Sequence, residues 1–109
     1  MSGPGGYTGD GGGGPDSDRG TSCDRLIFET DLQSVNVPVA RRIKEGEKLR
    51  VVIKGPDHPI VGHHRKHGDV GSIISRIPEL LRCHEQGHSY EAEVLVIQNT
   101  RVHVRVAPE

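Results

Sequence analysis

From residue 26 onward apolar and polar positions follow one another in short runs, and the period of each run predicts an element. Leu26, Ile27 and Phe28 make a brief apolar stretch, read as a first strand. Asn36 is the expected N-cap of a short helix. Pro38 falls in its first turn, where a missing N–H does no harm, and Val39, Ala40 and Ile43 then share a face. A short helix over 37–43 follows, stopped near Gly46. Leu49, Val51 and Ile53 alternate with Arg50, Val52 and Lys54, the period of a half-buried strand. Gly55, Pro56, Asp57, His58 and Pro59 are a dense turn signal. Ile60 and Val61 open another strand, residues 65–68 connect, and residues 70–75 return, with Gly71 marking a bulge or a close backbone approach.

Ser75 is the expected N-cap of the main helix, over 76–86. Pro78 lies in its first turn, Ile77, Leu80, Leu81 and His84 recur at helical spacing, and Gly87 is its stop. Tyr90, Ala92, Val94 and Val96 then alternate with Glu91, Glu93 and Leu95. A turn at Gln98, Asn99 and Thr100 leads into Val102, Val104 and Val106, which alternate with Arg101, His103 and Arg105. The order predicts an α+β domain over 23–107. Its sheet is small, curved and mainly antiparallel, or a partly closed β-barrel that leaves few free edges, with one main and one short helix.

Composition changes the picture at the N-terminus. Nine of the 15 glycines fall in the first 22 residues, among serine, proline and aspartate. Such a segment buries too little apolar area to offset its ordering entropy, so 1–22 is expected to be a disordered tail. Its glycines lack phosphate-loop spacing, since no Lys-Ser or Lys-Thr follows Gly14. No apolar run approaches the roughly 18 residues of a membrane span, and the first residues do not read as a secretory signal. The expected location is the cytoplasm, with no membrane contact. Two cysteines, Cys23 and Cys83, are too few for a disulfide framework and are expected as thiols, Cys83 as a small buried hydrophobe.

The net charge is −1, and the tail takes −2 of it, so the folded part is near neutral at +1. No domain-wide basic footprint exists, and polyanion binding would need a local patch. The sharpest local feature is His63, His64, Arg65, Lys66 and His67 at the expected hairpin tip: two fixed cations among three histidines on a loop, a composition suited to phosphates. Arg41, Arg42, Lys44, Arg101 and Arg105 would extend such a patch if they shared its face. Cys83, His84 and His88 suggest zinc ligands only weakly. Gly87 ends the helix before His88, and Cys83 points away from His84, so no metal is expected. Neither a nucleophile elbow, nor a paired-carboxylate signature, nor a Walker loop is present. No catalytic residue, cofactor or enzyme activity is expected.

Several stretches between Glu45 and Val106 resemble the HIRAN domain family. Gly46, Glu47, Lys48 and Leu49 match its glycine before a strand. Pro56, Asp57, His58 and Pro59 resemble its turn, with His58 in place of asparagine. Val70, Gly71, Ser72 and Ile73 resemble its hydrophobic-glycine strand without the aromatic, and Leu80, Leu81, Gly87, Tyr90, Ala92 and Val94 its helix and next strand. The family's acidic residue, its alanine-valine pair and aromatics for base stacking have no counterpart. The resemblance implies a small barrel of OB-like shape that binds single-stranded DNA ends. The sequence thus reads as a non-catalytic binding module for single-stranded nucleic acid or a phosphate-bearing ligand at His63, His64, Arg65, Lys66 and His67. The alternative is a protein-interaction adaptor, with Val52, Val61 and Leu95 as candidate surface apolar positions.

Overall fold

The computed structural model describes residues 22–109, so the expected tail over 1–22 lies almost wholly outside the described residues. After a 3-10 turn at Cys23–Arg25 come β1 (Phe28–Asp31), α1 (Val37–Ala40), β2 (Lys48–Val52), β3 (Ile60–His64), β4 (Gly68–Ile73), α2 (Ile77–Glu85), β5 (Tyr90–Gln98) and β6 (Arg101–Pro108). The six strands form one antiparallel sheet in the order β1-β6-β5-β2-β3-β4. It curls until its ends meet. Gln33, just past β1, exchanges both backbone hydrogen bonds with Ser72 of β4 (2.8 and 2.7 Å), and the Asn36 N–H donates to the Val70 carbonyl at 2.8 Å. The molecule is therefore the expected α+β fold, a strongly curved sheet in a partly closed barrel. Among the described residues no helix is long and apolar enough to cross a membrane.

The alternating positions read from the sequence supply the interior. Leu49 and Val51 from β2, Val70 and Ile73 from β4, Tyr90, Ala92 and Val94 from β5, and Val102, Val104 and Val106 from β6 all turn inward and are buried. Ala40 from α1 and Leu80 and Cys83 from α2 join the same core. Gly71 makes the closing contact possible. A Cβ there would stand 3.0 Å from both the Gln33 carbonyl oxygen and the Leu32 Cβ, so the close backbone approach read from the sequence is the approach of the closing strand.

Five local expectations change. The first strand starts at Phe28 rather than Leu26, because Cys23–Arg25 is a helical turn that sends Leu26 into the core. The short helix ends at Ala40; the Arg42 N–H reaches back only to Val39, and the tightened turn drops Ile43 into the core. Asn36 precedes it without a side-chain cap. Ser75 does not cap α2, because its hydroxyl lies 2.9 Å from that of Thr30 across the barrel seam. Arg76 takes the N-cap place at φ 58° and donates from Nε to Glu79 (2.7 Å). Val96 does not continue the inward row of β5, because the β5–β6 register shifts between Val94 and Val96 and brings Ile97 toward the core instead.

The cysteines are the largest correction. Cys23 and Cys83 are not thiols; they form a disulfide with 5.5 Å between Cα atoms, across 60 residues of chain. Neighbours along the sequence give no hint of it, since the bond needs the helical turn and α2 packed side by side. The buried Tyr90 hydroxyl donates to the Cys23 carbonyl at 2.6 Å and fastens the same turn to β5. Burial raises the Tyr90 pKa, keeping the phenol protonated as that donor.

Candidate functional site

The hairpin between β3 and β4 carries the five candidate residues, and the fold sorts them. The register of β3 against β4 shifts between Gly62 and His63, which twists the tip. His64 turns inward and is only 7% exposed. Its Nδ1 accepts the backbone N–H groups of Lys66 and His67 (3.1 and 3.3 Å), so its proton sits on Nε2, 3.3 Å from the Glu47 carboxylate. Glu47 also accepts the Lys44 N–H at 2.9 Å. That bond, aided by the nearby His64, holds its carboxyl below the usual carboxylate range. His67 stacks on His64 with ring centroids 4.8 Å apart. His64 therefore builds the turn and is not offered to a ligand. Arg65 and Lys66 stay exposed at the tip.

His63 points outward, its Nδ1 2.7 Å from Asp69. With Arg65 it borders a groove of about 380 Å³ over the outer face of β2 and β5, where Lys48, Leu49, Arg50, Glu91 and Glu109 complete the wall. The sheet explains the meeting. Arg50 and Lys48 are the outward positions of β2, Arg50 lies opposite His63 on one side and Glu91 on the other, and β3 delivers Arg65 just beyond its end. Lys48 is paired with Glu91 at 3.2 Å. Among the described residues no carboxylate pairs with Arg50 or Arg65, so these two guanidiniums carry the groove's uncommitted positive charge. Arginine presents a planar fork of donors matched to phosphate oxygens.

Arg101 and Arg105 do not extend this patch. They lie on β6 and are engaged by Asp31 (3.2 Å) and Glu93 (2.7 Å). The neighbouring His103 sits between two carboxylates, with Nδ1 2.7 Å from Asp31 and Nε2 3.0 Å from Glu29. These bonds, from Glu29 first and then Asp31, raise its pKa. The Cys83 thiolate that a zinc reading would need is consumed by the disulfide. Arg50 and Lys48 are the groove residues that the sequence reading passed over. Each was legible as an outward position of its strand, but only the β2–β3 register sets Arg50 beside His63. No family model matches this chain, and no curated protein or solved structure matches it either.

Proposed function

We propose that the domain is a non-catalytic binding module for a phosphate-bearing ligand, single-stranded nucleic acid foremost, held in the groove between the β3–β4 hairpin and the outer face of β2. The observation that carries this is the pair Arg50 and Arg65, two arginines on one concave surface with no acidic partner among the described residues. Tyr90 is buried and Phe28 packs against the core, so neither offers a platform for a base. The contacts would go to phosphates, giving sequence-tolerant and salt-sensitive binding. The HIRAN-like reading belongs to the same proposal, on the motifs quoted above. The buried disulfide bears on location, because such bonds persist where glutathione does not reduce them. That favours an oxidising compartment over the cytoplasm expected from the sequence.

Fluorescence anisotropy with labelled single-stranded DNA at low and moderate salt tests the reading. Affinity should fall steeply with salt, and Arg65→Ala should flatten the slope of log K against log salt by roughly 0.7. Absence of binding at low salt sinks the proposal.

The adaptor reading has its own observation. Val52, Val61 and Leu95 are half-buried, but Ile27 and Ile74, just before β1 and just after β4, are 57% and 58% exposed. A protein partner held there would be lost on Ile27→Asp or Ile74→Asp, and its binding would depend little on salt.

A further inference from the structure

Past Arg50 the sheet splits. β2 keeps β3 beside it as far as Val52, opposite Val61, but has β5 beside it only as far as Arg50, opposite Glu91. Residues 51–53 diverge from Ser89 and Tyr90, and a second depression of about 290 Å³ opens between them. His84 and His88 border it. Gly87, at φ +93°, ends α2 and turns the chain back, and the His88 N–H donates to the Cys83 carbonyl at 3.0 Å, which keeps His88 close to the helix end. The last residue of the sheet takes part as well: the Glu109 N–H donates to the Ser89 carbonyl at 3.0 Å, carrying the β5–β6 pairing one step beyond Pro108. Arg50 and Glu109 border both depressions, so the two lie next to each other on either side of this pair.

We infer that the two depressions form one groove centred on Arg50, and that its occupant is a single-stranded polyanion several phosphates long, reaching from Arg65 to His84 and His88. The inference rests on the phosphate-binding reading above and extends it from a point to a track. One phosphate group would be fully served by Arg50 and Arg65. Two adjacent depressions on either side of Arg50, with hydrogen-bond donors at their far ends, fit a chain of phosphates better than a single one. Imidazole supplies an N–H donor even when neutral, so His84 and His88 suit phosphate oxygens without carrying charge. Two carboxylates border the track. Glu91 is held by Lys48, and Glu109, which borders both depressions, sets an unfavourable charge between them.

Anisotropy at low salt with labelled 5′-phosphorylated thymidine dinucleotide and with an oligothymidylate of about ten nucleotides, within the site size of small barrels, separates the possibilities. The longer strand should bind at least about tenfold tighter, from its additional phosphate contacts. His84→Glu and, separately, His88→Glu should weaken the longer strand by roughly fivefold or more while leaving the dinucleotide unchanged. Glu109→Gln should tighten both. Thermal melting shows that each variant is folded, and His88→Glu serves if His84→Glu is not. Equal affinity for the two lengths, or histidine variants without effect on the longer strand, overturns the track and leaves the phosphate site standing. If neither oligonucleotide binds the unaltered protein, the phosphate-binding reading falls and the track with it.

Discussion

Two histidines show how one residue type takes opposite parts in this domain. His64 is buried as a hydrogen-bond acceptor for its own turn, whereas His103 is held between Glu29 and Asp31 on the outer face of β1 and β6. The hydrogen bond to Glu29, then that to Asp31, raises the His103 pKa. The Asp31 carboxyl is lowered, first by the His103 bond and then by Arg101. The signs set a window. The contribution of His103 is complete below the ordinary imidazole value of about 6.5 and fades as pH rises through its raised folded-state value. That of Asp31 is complete above the ordinary carboxylate value of about 3.9 and fades as pH falls through its lowered one. His103→Gln should therefore lower the melting temperature most between about pH 4 and 6.5, and the gap should narrow above that range. A gap that stays constant up to about pH 9 would refute the arrangement.

At the scale of elements, the barrel depends on contacts that sequence periodicity does not encode. The strands, the main helix and the inward valines were legible because each repeats at its own period, and Gly71 was legible as a place of close approach. The partner of that approach was not, because Gln33 lies in a stretch without periodicity and meets Ser72 only once the sheet has curled. Gly71→Ala should push a methyl against Gln33 and Leu32 and lower unfolding stability by about 1–3 kcal/mol in a urea titration, as overpacking does. The displaced cap at Ser75 has the same origin, since Thr30 claims the hydroxyl from across the seam. The disulfide was illegible for a related reason: Cys23 and Cys83 are each unremarkable locally, and only α2 docking beside the first helical turn unites them. Reduction, or Cys23→Ser, releases a 60-residue constraint on the unfolded chain and should lower stability by roughly 2–4 kcal/mol. Hydrogen exchange should then rise first in the Cys23–Arg25 turn and α2, the two elements that the bond joins. An unchanged melting temperature in reductant would contradict this.

For the molecule as a whole, the outer face of the barrel is a lattice of alternating charge. Reading across the strands, Lys48, Glu93, Arg105 and Glu29 stand opposite one another in turn; the next row, Asp69, His63, Arg50 and Glu91, breaks the alternation where His63 faces Arg50. Arg105 closes on Glu93 at 2.7 Å and Lys48 on Glu91 at 3.2 Å. Opposite charges at cross-strand positions hold the register, and a lattice of this kind leaves little long-range field to draw in a charged ligand. Attraction must come from cations that the lattice leaves unpaired, and Arg50 and Arg65 meet that condition on the groove. This separates a site from a general electrostatic effect. Arg50→Gln and Arg105→Gln remove the same charge from the same curved face, so a response to net charge alone would weaken oligonucleotide binding equally in both. If the groove is the site, Arg50→Gln should lower affinity by about tenfold and flatten the salt slope by roughly 0.7, whereas Arg105→Gln should stay within about twofold of the unaltered protein. Equal losses in the two variants would mean that the ligand reads the charge of the domain and not the groove.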